Sequence, residues 1–91
     1  MHYSGLLVLC RTESIYDCVR DLTGFRGFDV YASDPATGRI VVVLETHTLE
    51  EQEAGLRRAQ SLPDVLTAEL VYHYFGDEAM AEPPAPARST P

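Results

Sequence analysis

The side chains here that can do chemistry are three histidines, two cysteines, an arginine closing an apolar run, and scattered carboxylates. Imidazoles and thiolates hold a metal ion when two or more sit a few residues apart, so that one turn or hairpin presents them together. His2, His47 and His73 stand in three different segments, and none has a second His or Cys at ligand spacing. No metal site is expected, and His73 alone reads as a surface or edge histidine. Cys10 and Cys18 match neither a redox pair nor a zinc pair, and two cysteines make no disulfide framework. They read as buried or half-buried thiols. No glycine-rich phosphate loop is present; Gly24-Phe25-Arg26-Gly27 reads as a helix stop and strand entry.

The carboxylates carry the overall charge. The chain has 91 residues and a formal net charge of −7, and its basic residues are all Arg. Nucleic acid is bound by neutralising phosphates with cations, so this balance argues against it. It favours a basic partner, or no charged partner at all. Asp17, Asp21, Glu50, Glu51 and Glu53 read as solvated helix faces that can also receive an Arg-bearing partner. The opening MHYSGLLVLCR lacks a basic leader, and its apolar run is short for a signal peptide. Nothing approaches the ~20 apolar residues of a membrane span. A cytoplasmic protein without stable membrane insertion or bound cofactor is expected.

The elements that must position these groups follow from periodicity. YSGLLVLC at 3–10 is an apolar run of strand length. Ile15, Val19 and Leu22 then fall at helical spacing; Ser14 with Asp17 resembles a capping box, and Gly24 can take the left-handed conformation that ends a helix. A helix over 14–23 is predicted. FDVYASD at 28–34 alternates as a half-buried strand does, and Pro35 and Gly38 supply a turn into RIVVVLE at 39–45. Four β-branched residues in a row suit a strand and crowd a helix. Thr48 and Glu51 have capping-box spacing; Leu49, Leu56, Ala59 and Leu62 mark an apolar stripe, and Pro63 stops the second helix. Gly55 weakens its middle by about 1 kcal/mol relative to Ala. The last strand runs from Val65 to Phe75.

The order β-α-β-β-α-β predicts a ferredoxin-like α+β fold over residues 1–75: a four-stranded antiparallel sheet with both helices on one face. Residues 76–91, acidic and Pro-rich, are expected to form a disordered tail. Strand alternation assigns Leu6, Val8, Val30, Ala32, Ile40, Val42, Leu44, Ala68, Leu70 and Tyr72 to the helix side. The open side receives Gly5, Leu7, Leu9, Tyr31, Val41, Val43, Val71 and His73. That second set is too apolar for a solvated surface, and no third helix exists to cover it. A second copy packed sheet to sheet, a peptide or protein client, or a small ligand are the candidate covers. Arg11 after the first strand could hold an anion, as in ferredoxin-like acyl-phosphate hydrolases. Those enzymes also need an amide side chain to place water, and this chain has no Asn, with Gln52 and Gln60 both on the second helix. No enzyme is expected.

Several stretches in order resemble one family. SGLLV at 4–8, GFDV at 27–30, GRIVVVLE at 38–45 and LVYH at 70–73 are similar to the NapD family, the cytoplasmic assembly chaperones of periplasmic nitrate reductase. The resemblance spans about residues 4–75. It implies a ferredoxin-like fold without enzymatic activity or cofactor. It also implies binding of the twin-arginine signal peptide on the precursor of the nitrate reductase catalytic subunit. Export is held back while the molybdenum cofactor and iron–sulfur cluster are installed. An acidic protein with an uncovered apolar sheet suits a peptide that is basic and then apolar. The expected contacts are Leu7, Leu9, Tyr31, Val41, Val43, Val71 and His73, with Asp29, Glu45 and Glu69 on or at the ends of the same face as partners for arginines. The client is expected as a helix across the face rather than as a strand added to the edge. The other reading is a small regulatory or ligand-binding domain that dimerises through the sheet.

Overall fold

The strands found are the ones the alternation predicts. In a computed structural model that describes residues 1–76, β1 is His2–Cys10, β2 Phe28–Asp34, β3 Arg39–Thr46 and β4 Val65–Phe75. The helices are α1, Ile15–Gly24, led in by a 3-10 turn at Thr12–Ser14, and α2, Leu49–Gln60. The expected tail lies outside the described residues, apart from Gly76.

The sheet order is β2-β3-β1-β4, with every neighbouring pair antiparallel. This is the ferredoxin-like arrangement. The two central strands are β1 and β3, so β2 and β4 are both edges.

One face of the sheet meets the helices. Leu6, Val8, Ile40, Val42, Leu44 and Ala68 pack with Ile15, Cys18 and Leu22 of α1 and Ala59 of α2 in one core cluster. Cys10 and Cys18 both belong to it as free, buried thiols. Gly55 has a packing role that helix propensity alone does not reveal. A β-carbon there would lie 2.6 Å from Leu44 Cδ2, so the glycine is what lets α2 approach β3. Its cost to the helix is exchanged for that contact.

Local signals fared unevenly. At α2 the Glu51 N–H donates to Thr48 Oγ1 at 3.1 Å, as the capping spacing predicts, and Glu51 Oε1 accepts from the His47 N–H at 2.9 Å. At α1 the Ser14 side chain makes no capping bond, because the 3-10 turn already occupies that corner. Gly24 ends the helix without a left-handed φ; Gly27 takes it instead, at 84°, and Gly38 takes it in the β2–β3 turn, at 80°.

Three register shifts decide which residues face where. Against β3, β2 pairs Val30 with Val42 and then Ala32 with Val41, leaving Tyr31 extra. Against β1, β4 pairs Leu70 with Leu6 and then Tyr72 with Gly5, leaving Val71 extra. Leu66 is skipped in the same way between Val65 and Thr67. Each extra residue moves everything beyond it to the opposite face. Ala32 and Tyr72, expected on the helix side, therefore stand on the open side. His73, expected on the open side, pairs with Ser4 and stands on the other. Leu70 does pair with core residue Leu6, yet is 41% exposed, because β4 is an edge that the helices do not fully cover.

Candidate functional site

The open face is built outward from β1 and β3. Leu7 opposes Val41 on β3 and Glu69 on β4; Gly5 opposes Val43 and Tyr72; Leu9 opposes Arg39 and Thr67. Partners directly opposite one another share a face, so these residues form one surface. Leu7 and Leu9 are half-buried and Val41 is 41% exposed, with no helix above them. Tyr31 and Val71 stand at the two bulges, Tyr31 opposite Val41 beside Ala32, and Val71 opposite Gly5 beside Tyr72. Nine of the ten expected contacts are thereby brought to this face or its rim. His73 is the exception.

Val43 is the informative member. It is on the open face, yet only 9% exposed. The cover comes from the edge strands. The Tyr72 ring lies over Gly5, where any β-carbon would collide with it. Tyr72 and Tyr31 are within electrostatic range of each other, although β2 and β4 are three strand spacings apart, roughly 14 Å. Burial first and Tyr31 second raise the Tyr72 phenol pKa, and the Tyr72 hydroxyl is buried without a hydrogen-bond partner. Tyr3 is buried beside it, with its ring centroid 6.0 Å from that of Tyr74. The open face thus has a tyrosine roof at one end and a bare apolar strip of Leu7, Leu9 and Val41 at the other. Strand alternation alone missed Tyr72 and Tyr74, since the bulge at Val71 leaves no mark in the residue pattern, whereas Tyr3, absent from the expected contacts, follows the alternation of Gly5, Leu7 and Leu9.

Charge on this face is divided: two carboxylates gather at the roofed end, and the exposed Arg39 stands beside Leu9 at the other. Asp29 opposes Val43, and Glu45 opposes Tyr3. The two residues are therefore diagonal neighbours at the roofed end, their backbone positions roughly 7–8 Å apart. Glu69 lies further along, beside Leu7. All three are exposed, and among the described residues the ion pairs are Arg11–Asp64 and Arg20 with Asp17 and Asp21, so none involves this face. A cavity of about 530 Å³ toward α2 is lined by Arg26 and Arg58 together with Glu45 and Glu51, so these formal charges balance. Among the described residues no group of three metal-binding side chains occurs, and no helix is long and apolar enough to cross a membrane.

Comparison with known proteins agrees with this architecture. The family model described as NapD protein matches residues 1–77. The chain belongs to the NapD family. NapD sequences from Escherichia coli K12 and Shigella flexneri, each named Chaperone NapD, are 30% identical to it over 79 residues, covering 87% of this chain and 91% of theirs. The solution structure of the E. coli Tat proofreading chaperone protein NapD superposes with a TM-score of 0.75 at 28% identity, over 91% of this chain and 87% of that one. NapD is a chaperone family, and this chain is a chaperone rather than an enzyme. A chaperone role implies a client precursor protein. The open face carries Asp29 and Glu45 at its roofed end and Leu7, Leu9 and Val41, with Glu69 and Arg39 beside them, at the other.

Proposed function

We propose that this protein binds the twin-arginine signal peptide of the periplasmic nitrate reductase catalytic subunit precursor in the cytoplasm, and holds back its export until cofactor insertion is complete. The observation that carries the reading is the amphipathic open face. A twin-arginine signal is a basic segment followed by an apolar one. Asp29 and Glu45, on adjacent strands and without an ion pair among the described residues, suit two neighbouring guanidinium groups. Leu7, Leu9 and Val41 give the apolar segment a surface to bury at roughly 25 cal/mol per Å². The peptide lies as a helix across this face. A strand added to β4 would meet the bulges at Leu66 and Val71, which break up the edge ladder. The Tat proofreading role named for the E. coli relative supports the same client class.

A second reading rests on the same exposed strip: two copies packing sheet to sheet over Val41 and Leu7. The two readings separate in one experiment. Calorimetric titration with the nitrate reductase signal peptide, beside a twin-lysine version, is expected to give one-to-one binding with a negative heat-capacity change, weakened by the lysines. No heat from either peptide, together with a dimer by sedimentation, sinks the chaperone–signal reading and leaves the homodimer.

A further inference from the structure

The tertiary structure brings together two histidines that the sequence holds at opposite ends of the domain. His2 Nδ1 and His73 Nε2 are 2.8 Å apart. The ring centroids are 5.0 Å apart and the planes within 18° of parallel. That centroid distance is what the bond and two ring radii add up to, so the nitrogens meet edge to edge. Their lone-pair directions then run along the line between them, which suits one shared proton. A metal ion needs both lone pairs to converge on a third point.

We propose that the His2–His73 pair is a pH-sensitive clasp, which holds the C-terminal end of β4 against the start of β1 and releases it on acidification. In the neutral pair one ring N–H donates to the other ring's bare nitrogen. A first added proton leaves that bond in place, now charge-assisted. A second gives both facing nitrogens a hydrogen and sets two cations in contact. Among the described residues the groups acting on His2 carry no compensating negative charge: His73 from β4 and the amino group at Met1 both add positive charge, and Thr46, opposite on β3, does not titrate. The Phe75 ring, centred 4.7 Å away, adds none. Partial burial, then His73, then the Met1 amino group hold the His2 pKa below its ordinary 6.5. A base whose folded pKa is lowered binds more protons unfolded, so the contact it makes is fully present above pH 6.5 and lost as pH falls below it.

What the clasp holds is a separable piece. The bulge at Val71 divides β4, and beyond it only Tyr72 to Phe75 pair with β1, closed by the Gly76 N–H donating to the Met1 carbonyl at 3.0 Å. Among the described residues no strand lies on the far side of β4. Tyr72 and Tyr74 travel with this piece, so releasing it lifts part of the roof from Val43. Where the docking face proposed above binds its client, acid then alters the affinity; that consequence rests on the proposed function, and the clasp itself does not.

Amide hydrogen exchange on the whole chain, corrected for intrinsic rates, tests it. Between pH 7.5 and pH 5, protection at 73–76 is expected to fall about tenfold or more, while 67–69, before the bulge, holds. His73→Gln, which keeps a donor and acceptor but cannot titrate, is expected to flatten that dependence. Equal protection at both pH values, or the same loss in His73→Gln, overturns the clasp. Imidazole nitrogen shifts in the unmodified protein give an independent check: one histidine titrating well below the other supports it, and two ordinary independent titrations overturn it. A twin-arginine peptide added at both pH values separates the two ideas. Failure to bind at either pH counts against the proposed function, while the exchange data still judge the clasp.

Discussion

The Tyr72 ring lies against Gly5, and the contact leaves no room for a β-carbon on the glycine. This approach sets a ring beside the Gly5–Val43 pair on the open face, and it needs a glycine on an inner strand. Gly5→Ala should therefore force the ring away. The expected cost is about 1–3 kcal/mol, as for other overpacked sites. Urea unfolding measures it; an unchanged midpoint would mean the ring moves aside freely and is no roof.

Val41 and Val43 are next-but-one neighbours on the same face with different surroundings, 41% and 9% exposed. Val41→Asp should leave the fold within about 0.5 kcal/mol of the parent and abolish peptide binding. Val43→Asp buries an unpaired charge under the tyrosines and should cost roughly 3 kcal/mol or more. Circular dichroism melts with peptide titrations read both; a folded, binding-competent Val41→Asp removes this face as the docking site.

Asp29 and Glu45 share the roofed end and lack ionic partners among the described residues. Replacing each by its amide should weaken a twin-arginine peptide by about two- to fivefold apiece, as for exposed ion pairs. The loss should shrink as salt rises. If Glu69→Gln weakens binding and the Asp29–Glu45 pair does not, the arginines lie at the other end of the face.

Cys10 and Cys18 should be silent to thiol reagents in the native state. Burial first, and then its hydrogen bond with Cys10, push the Cys18 thiol up to about 12. An acid whose folded pKa is raised is stabilised below its unfolded value and loses that stabilisation only as pH climbs above 9.0 toward 12. At pH 8 an aromatic disulfide reagent should find no fast thiol in the folded protein and both after denaturation. Rapid native labelling would mean the core opens locally at α1.

Thr48→Ala removes the oxygen that accepts the Glu51 N–H, at a helix start with no other described acceptor for it. The expected loss is about 1 kcal/mol by thermal or denaturant unfolding. Ser14→Ala, at a cap that makes no side-chain bond, should cost little by the same measurement.

The sequence by itself determined the elements, their order and the fold class. Runs such as RIVVVLE have only one comfortable backbone, and the Thr48–Glu51 spacing marks a helix start wherever it occurs. It also determined that one sheet face is apolar and that the chain's charge suits a basic client. Only the tertiary structure decided which residues reach that face beyond Val30 and Leu70. A bulge is a choice made between two strands, by how each one twists and packs against its partner, so neither strand's own pattern records it. That choice moved Tyr72 and Ala32 onto the open face and took His73 off it. The same pairing set His73 beside His2. Proximity across so long a stretch of chain is a property of the sheet register, which no local spacing encodes.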